Sequence, residues 1–600
     1  MREFSVPVDI KIAPDATLSD AVFDAERDEP DRVMFRRKDG DSWQPVTART
    51  FAGEVRRLAA GLMERGMQPG DRVGLMSRTR YEWTLCDYAI WTAGAVTVPV
   101  YETSSAEQVA WILGDSGAVA VVVETSEHKA TVDEVFGELG EVRHVWQIEG
   151  GALDELTEIG AGVSDDAIEQ RRRTAGADTL ATVIYTSGTT GRPKGCELTH
   201  GNFLFDATTT TDGLSELFTD DASTLLFLPL AHVFARIIQV GCVLNRVTMG
   251  HTADVKNLLS DFAVFRPTFI LAVPRIFEKV YNAAQQKAHA GDGAKGTAMG
   301  ALFDQADRTA VAYSEQLQNG RVSPLTKAQH TVFDRLVYSR LRAVLGGQVA
   351  YAVSGGGPLG APLGHFFRGI GVTILEGYGL TETTAGATCN LPHSLRIGTV
   401  GRPIPGEMVR IGDDGEVLLR GDNIFLGYWK NAQATADTLS GGWFHTGDIG
   451  ELDADGFLTI TGRKKELIVT AGGKNVSPAV LEDRLRSHPL ISQCIVVGDN
   501  KPYIACLITL DDEALPAWQS EHGKPGMSRA ELTRDADLQA EIQSAVDKAN
   551  KAVSKAESIR KFTILETDFT EEGGQMTPTL KLKRAVIMDE FSADVEQLYA

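Results

Sequence analysis

Apolar residues after position 50 recur first with helical and then with strand-like spacing. Phe51, Val55, Leu58 and Leu62 lie on one helical face, and Pro69-Gly70 ends that segment. The elements predicted next are a strand at 72–76, a helix at 82–93, a strand at 95–100, a helix at 108–115 and a strand at 118–123. Strands that alternate with helices predict a parallel sheet with helices on its faces.

The pattern changes further along the chain. Residues 278–345 are rich in Ala, Gln, Lys and Arg and predict several helices, with a glycine-rich break at 291–296. Short β-like runs separated by Gly and Pro predict a small β-rich subdomain at about 398–461. Strands and helices mix again after the charged connector 462–465.

We therefore predict an α/β fold in two domains. Residues 1–464 are predicted to form a large N-terminal domain of layered, parallel-type α/β subdomains plus the small β-rich subdomain. Residues 465–600 are predicted to form a small α+β domain, hinged to the first at Lys465. The chain of 600 residues is too long for one core, because single cores stop growing near about 250–300 residues.

Composition narrows the function classes. The chain is 43% hydrophobic and 23% charged, which is typical of folded soluble proteins and not of disordered chains. A net charge of −22 argues against nucleic acid as a partner. The six cysteines form no C-x-x-C pair, and no apolar run reaches the ~18 residues of a membrane span. The prediction is a cytoplasmic protein without a transmembrane segment, and peripheral membrane contact stays open.

The segment from Tyr185 to Gly195, YTSGTTGRPKG, carries the most specific chemistry. Its three glycines allow a tight turn with inward N–H groups, and four hydroxyls and a lysine add donors for phosphate. The spacing is not that of the Walker motif. The residues predicted to bind nucleotide phosphates here are Thr186, Ser187, Gly188, Thr189, Thr190, Gly191 and Lys194.

This loop resembles the phosphate-loop signature of the adenylate-forming superfamily, which contains acyl-CoA synthetases, peptide-synthetase adenylation domains and beetle luciferases. The other motifs of the superfamily are matched in order. They are SGGGPL at 354–359, EGYGLTET at 376–383, WFHTGD at 443–448, GRKKE at 462–466, GGKNVSP at 472–478 and TPTLKLKR at 577–584. The resemblance covers roughly residues 20–590, and a further match at Gly427-Tyr428-Trp429 is interpreted as structural.

The resemblance implies a nucleotide site built from these motifs. Tyr378 is implied to stack on the adenine base, and Asp448 to accept hydrogen bonds from both ribose hydroxyls. The loop at 472–478 is implied to act in thioester formation. The full set of implied binding residues in these motifs is Gly355, Gly356, Glu376, Gly377, Tyr378, Gly379, Thr381, Asp448, Arg463, Gly472 and Gly473.

The resemblance also implies a catalytic lysine in the last motif. Lys581 is followed by Arg584 with the K-x-x-R spacing of the superfamily, which supports Lys581 in that role. Many members carry a glycine directly before this lysine, and Leu580 stands there instead. Lys583 therefore remains the alternative.

Three further residues receive implied roles in catalysis. Glu382, together with Thr186, is implied to hold Mg²⁺ through oxygen. Lys465 is implied to be the pivot about which the C-terminal domain rotates between the two half-reactions. His232 either gates the acyl and pantetheine passage or is a packed core histidine, and both interpretations stay open.

The implied reaction has two steps. A carboxylate attacks the α-phosphate of ATP to give an acyl-adenylate and pyrophosphate, and the acyl group then passes to CoA with release of AMP. The first step brings an anion onto a triphosphate, so positive charge from Lys581 and Mg²⁺ must offset the repulsion in the transition state. No covalent enzyme intermediate is needed.

Less specific sequence features indicate which acyl group is the substrate. Segments 266–268 and 273–277 and the helical insert 278–345 resemble the long-chain synthetases, so the predicted ligands are a long-chain fatty acid, ATP and CoA, with Mg²⁺. Two alternatives remain: a fatty-acyl-AMP ligase that loads a carrier protein, and a non-catalytic nucleotide- or lipid-binding homologue. The oligomeric state stays open between monomer and homodimer.

Overall fold

A mixed sheet forms the centre of the first part of the chain. The computed structural model describes residues 1–40, 42–186, 192–289, 293–471, 474–577 and 581–600, with the backbone alone for 293–297. In spatial order the strands of this sheet are Gly427–Tyr428, Lys194–Thr199, Leu180–Thr186, Val96–Val100, Arg72–Met76, Ala118–Val123 and His144–Gln147. The central strands are parallel, as predicted. Lys194–Thr199 instead runs antiparallel to Leu180–Thr186, which places Thr186 opposite Lys194.

Two further sheets complete the α/β layers. One has the strand order Phe269–Ala272, Tyr351–Ser354, Thr373–Tyr378, Thr388–Cys389 and Arg402–Pro403; the other has the order Ser223–Leu226, Thr248–His251, Val33–Asp39 and Ser42–Thr47. The parallel register of the first pairs Ser354 with Glu376. The glycine-rich turn and the adenine motif therefore leave the sheet at the same edge, where ligands bind in open α/β sheets.

The β-rich subdomain contains more of the chain than predicted. Its strands follow the order Glu3–Ser5, Met408–Ile411, Glu416–Arg420, Trp443–Leu452 and Leu439–Ser440, with Leu458–Arg463 also paired to Trp443–Leu452. The N-terminal strand joins the edge because it pairs antiparallel with Met408–Ile411. The predicted range of about 398–461 thus gains residues 3–5 and extends to Arg463.

Helices cover the sheets of this part of the chain. They are Asp20–Asp28, Ala48–Glu64, Tyr81–Thr92, Ala106–Ser116, Ser126–Val135, Ala152–Ile159, Asp165–Arg172, His200–Gly213, Val233–Leu244, Leu258–Phe265, Pro274–His289, Gly293–Gln318, Pro324–Phe333, Ser339–Val344, Ala361–Gly369 and Ala432–Thr438. The predicted glycine-rich break is shorter than expected, because the helix resumes at Gly293. The strand Ser223–Leu226 ends before Pro229, which has no N–H to donate to a neighbouring strand.

The C-terminal part is α+β, as predicted. Its main sheet has the order Ile491–Val497, Ile504–Leu510 and Ile559–Ile564, and Ile468–Val469 pairs with Asn475–Val476. Its helices are Pro478–Arg486, Leu515–Glu521, Arg529–Leu532, Ala536–Asn550, Arg584–Glu590 and Ser592–Tyr599. The strand Ile559–Ile564 was not predicted, and two exposed cations, Arg560 and Lys561, interrupt its apolar pattern. The apolar residues of the C-terminal part form two hydrophobic cores of their own.

These arrangements confirm the predicted α/β class. The helices within the described ranges include none that is both long and apolar enough to span a bilayer.

Candidate active site

Asp448 is the centre of a buried hydrogen-bonded group. Its carboxylate accepts from the Tyr378 hydroxyl, 2.7 Å from Oδ2, and from Arg463 Nε, 2.8 Å from Oδ1. The strand register accounts for the second contact, because Asp448 and Arg463 are direct partners across the two strands. A carboxylate offers about four acceptor positions. Asp448 therefore keeps capacity for the two ribose hydroxyls of the predicted nucleotide.

Tyr378 is held by its hydroxyl. Burial and the Asp448 carboxylate raise the pKa of Tyr378 well above its usual value, so the phenol remains a proton donor. A ring fixed at its far end loses little freedom when a base stacks on it. The geometry suits the predicted adenine contact, which stays a prediction.

Glu376 is hydrogen-bonded to the glycine-rich turn. Its Oε1 accepts from the Leu359 N–H at 3.1 Å, and burial raises the pKa of Glu376 to about 7. Within the turn, a Cβ at Gly355 would lie 3.0 Å from the Phe234 ring, and Gly356 has φ of +80°. Both predicted glycines are thus required by close packing or backbone conformation in the turn.

The glycines of the adenine motif are packed as closely as those of the glycine-rich turn. A Cβ at Gly379 would overlap the Ala385 carbonyl oxygen, and one at Gly377 would lie 3.2 Å from the Thr388 oxygen. Thr381 is buried at the start of the short turn Thr381–Thr383. These positions shape the turn that presents Glu382, and direct contact with nucleotide remains a prediction for them.

Glu382 and the phosphate loop meet at Tyr428. The Tyr428 hydroxyl donates to Glu382 Oε1 at 2.7 Å, and the Lys194 ammonium lies 5.0 Å from the centre of the Tyr428 ring. Cys196 is buried nearby: burial and the Glu382 charge raise the pKa of its thiol, and the Thr186 side chain and the Lys194 charge oppose that effect. The half-exposed Glu382 carboxylate and the Thr186 hydroxyl are oxygen donors of the kind that bind Mg²⁺ together with substrate phosphates.

Lys581 reaches this site from the C-terminal part of the chain. Burial and the Arg463 charge lower the pKa of Lys581, and Asp448 and Glu382 oppose that effect. The ammonium therefore lies within electrostatic reach of both carboxylates, although the side chain keeps exposed surface, as expected in a water-accessible cleft. Lys583 is instead the residue that precedes the helix Arg584–Glu590. The charge effects on Lys581 agree with its predicted catalytic role, which stays a prediction.

His232 begins the helix Val233–Leu244. Its Nδ1 accepts from the Phe234 N–H at 3.2 Å. Burial lowers the pKa of His232 to about 3, and the Lys581 charge adds to the effect, so the ring is neutral near pH 7. The side chain is half-buried, and both interpretations of His232 stay open.

Ion pairs hold the C-terminal part against the rest of the protein. Arg275 pairs with Asp511 at 2.9 Å, and Lys279 pairs with Glu513 at 3.0 Å. Lys465 lies in the short turn Lys464–Glu466 between the two parts and is exposed. An exposed connector can change its backbone angles without loss of core packing, which suits the predicted pivot.

Some predicted residues lie outside the described part of the chain. They are Ser187, Gly188, Thr189, Thr190 and Gly191 in the phosphate loop, and Gly472 and Gly473 in the thioester loop. Their predicted roles are unaffected by the geometry above.

Tyr428 is a site residue that the sequence interpretation missed. Its segment was interpreted as structural, yet it contacts both Glu382 and Lys194. No local pattern marks this role, because the strand Gly427–Tyr428 joins the phosphate-loop sheet from a distant part of the chain.

Comparison with known proteins identifies relatives along the whole chain. The family described as AMP-binding enzyme matches residues 22–429, and the family described as AMP-binding enzyme C-terminal domain matches residues 465–600. The long-chain-fatty-acid–CoA ligase FadD15 of Mycobacterium bovis is 52% identical over 604 residues, covering 100% of each chain.

Solved structures share the fold at lower identity. The anthranilate CoA ligase AuaEII, solved with anthranoyl-AMP, has a TM-score of 0.72 at 20% identity and covers 96% of this chain and 98% of its own. The O-succinylbenzoate CoA synthetase of Bacillus subtilis, solved with ATP and magnesium ion, has a TM-score of 0.66 at 21% identity, with 94% and 98% covered.

Proposed function

Because the chain belongs to the AMP-binding enzyme family, we propose that it is a long-chain-fatty-acid–CoA ligase. It activates a long-chain fatty acid with ATP to acyl-adenylate and pyrophosphate. It then transfers the acyl group to CoA and releases AMP. The observation that carries the proposal is that the charges of Asp448 and Glu382, residues of two separate motifs, both act on Lys581.

Asp448, Tyr378 and Lys581 each have a role in adenylation. Asp448 holds the ribose while Tyr378 stacks on the base, which fixes the α-phosphate relative to the carboxylate that attacks it. Lys581 lies where negative charge increases as the two anions meet. When bound, Mg²⁺ supplies further positive charge on the phosphates, and Glu382 and Thr186 would hold it.

The second half-reaction needs a different face of the C-terminal domain. We place the domain boundary at Lys465, between domains 1–464 and 465–600, and propose that rotation there withdraws Lys581 and presents the loop with Gly472 and Gly473. His232, neutral and half-buried, then borders the passage for the pantetheine thiol.

The proposed acyl substrate is supported by two independent features. The FadD15 relative is named for long-chain fatty acids. The helical insert is present as Pro274–His289, Gly293–Gln318 and Pro324–Phe333, and apolar residues of these helices pack with the sheet that carries the adenine motif.

One assay tests the proposal and separates the alternatives. The protein is incubated with palmitate and ATP–Mg²⁺ while pyrophosphate is measured, and CoA is then added. Formation of palmitoyl-CoA is expected. Adenylate that accumulates despite CoA would indicate a ligase that loads a carrier protein. Absence of pyrophosphate would indicate a non-catalytic binding protein.

We also propose that the enzyme is cytoplasmic and contacts membranes peripherally. Leu325, Val332 and Leu336 lie on one stretch of helix and are 69%, 55% and 46% exposed, and helical spacing places them on one face. The exposed cation Arg335 lies beside this face. Apolar side chains bordered by a cation favour an anionic bilayer surface. Co-sedimentation with phosphatidylglycerol vesicles should fall in Val332→Asp, and equal binding by this variant would contradict the proposal.

A further inference from the structure

A carboxyl group without a partner lies beneath the turn that carries Glu382. Glu407 is 0% exposed, and neither of its carboxyl oxygens makes a hydrogen bond of good geometry among the described residues. The Asn423 side chain and the Arg420 backbone are the polar groups next to it. A buried, ionised carboxylate without donors would be strongly unfavourable. A neutral carboxylic acid needs only an acceptor for its own proton.

Asn423 supplies that acceptor. Its Nδ2 donates to the Gly386 carbonyl at 2.6 Å and to the Thr383 carbonyl at 3.3 Å. Two carbonyl acceptors on the same side fix the orientation of the amide, since the opposite orientation would place oxygen against oxygen. The remaining atom, Asn423 Oδ1, is buried and is also without a partner in the described structure.

The two unpartnered groups are neighbours. Both flank Gly421: a Cβ there would overlap Glu407 Oε2 and lie 2.5 Å from Asn423 Oδ1. Two acceptor oxygens that are adjacent and closed to water repel each other unless a proton lies between them. A hydrogen on Glu407 would explain why both oxygens lie against Gly421.

We propose that Glu407 is a positioning residue whose neutral carboxyl donates to Asn423 Oδ1 and thereby fixes the turn 381–386 that presents Glu382. The proposal rests on the proposed function, in which Glu382 holds Mg²⁺. Glu407 itself touches neither nucleotide nor metal, and acts through Asn423.

The turn requires support of this kind. Thr384 and Ala385 have φ of +57° and +102°, in the left-handed region that residues with side chains rarely adopt. Thr384 Oγ1 donates to the Asn423 carbonyl at 2.6 Å, so Asn423 contacts the turn through its side chain and its backbone. Asp206, also fully buried, accepts from the Gly386 N–H at 3.1 Å.

The surroundings favour the neutral acid. Burial raises the pKa of Glu407 well above its usual value and outweighs the opposing effect of the Asn423 side chain and the Arg420 backbone. Burial raises the pKa of Asp206 to about 8. Both shifts favour the protonated form of these buried acids.

The test compares Glu407→Gln with Glu407→Met. Glutamine retains a donor for Asn423 Oδ1, so its kcat/KM for MgATP in ATP–pyrophosphate exchange should stay within about twofold of the wild type. Methionine has a similar size and no donor, and should lower that value about 10-fold or more because a buried acceptor is left unpaired. CoA-dependent turnover of supplied acyl-AMP should not change in either variant.

An infrared measurement gives a readout independent of activity. The wild type minus Glu407→Gln difference spectrum at neutral pH should contain the C=O band of a protonated carboxylic acid. A carboxylate band in its place would overturn the proposal. The proposal would also be overturned if Glu407→Gln lowered kcat/KM for MgATP as much as Glu407→Met does. The infrared result decides if Glu407→Met fails to fold. Loss of exchange in the wild type itself would instead count against the proposed function.

Discussion

Replacement of Lys581 by alanine is expected to lower the rate of acyl-adenylate formation by on the order of 1,000-fold. The charges of Asp448 and Glu382 act on this ammonium, and in the proposed reaction Lys581 lies where two anions are brought together. A unit charge pair at about 4 Å contributes about 4 kcal/mol at an effective dielectric constant near 20. Most of that stabilisation is lost when the charge is removed, because alanine leaves only water in its place.

The measurement separates the two half-reactions. Adenylation is followed as ATP–pyrophosphate exchange, and thioester formation as the release of AMP from supplied acyl-AMP with CoA. We expect Lys581→Ala to lose ATP–pyrophosphate exchange and to keep thioester formation from acyl-AMP. Lys583→Ala is the matched control, two positions away, and should retain both. If Lys583→Ala instead abolishes exchange, the assignment of the catalytic lysine is reversed.

Replacement of Arg236 by methionine is expected to lower the free energy of unfolding by about 3–5 kcal/mol. Arg236 and Asp87 are both 0% exposed and are joined twice, at 2.5 Å from Nη2 to Oδ1 and at 2.9 Å from Nε to Oδ2. Arg236 also donates to the Thr182 hydroxyl at 2.6 Å. Loss of the guanidinium leaves the Asp87 charge in the core without its main partner.

A double variant identifies the cause. Asp87→Leu combined with Arg236→Met removes both charges, and should recover much of the lost stability in urea unfolding, because the remaining cost is one of packing. The exposed pair of Arg2 and Asp413 provides the matched control, and Arg2→Met there should change stability by less than about 1 kcal/mol. A double variant no more stable than Arg236→Met would show that packing, and not charge burial, dominates.

The site residues found from sequence lie in short motifs. Tyr378 and Asp448 were each predicted from their own segment, and the structure joins them by one hydrogen bond of 2.7 Å. Tyr428 was missed as a site residue, since its contacts depend on pairing between the strands Gly427–Tyr428 and Lys194–Thr199. Glu407 was missed as well, because a single acid between Gly406 and Met408 gives no local sign of burial.

The sequence by itself determined the alternation of strands and helices, the α/β class, the family and the chemistry of the phosphate and adenine motifs. These depend on local periodicity and on residues that are close in the chain. Only the tertiary structure decided which distant groups act on one another: the charges of Asp448 and Glu382 on Lys581, Arg236 with Asp87, and Glu407 beside Asn423. Such contacts arise from strand register, domain docking and burial, which depend on the packing of the whole chain and leave no periodic trace in sequence.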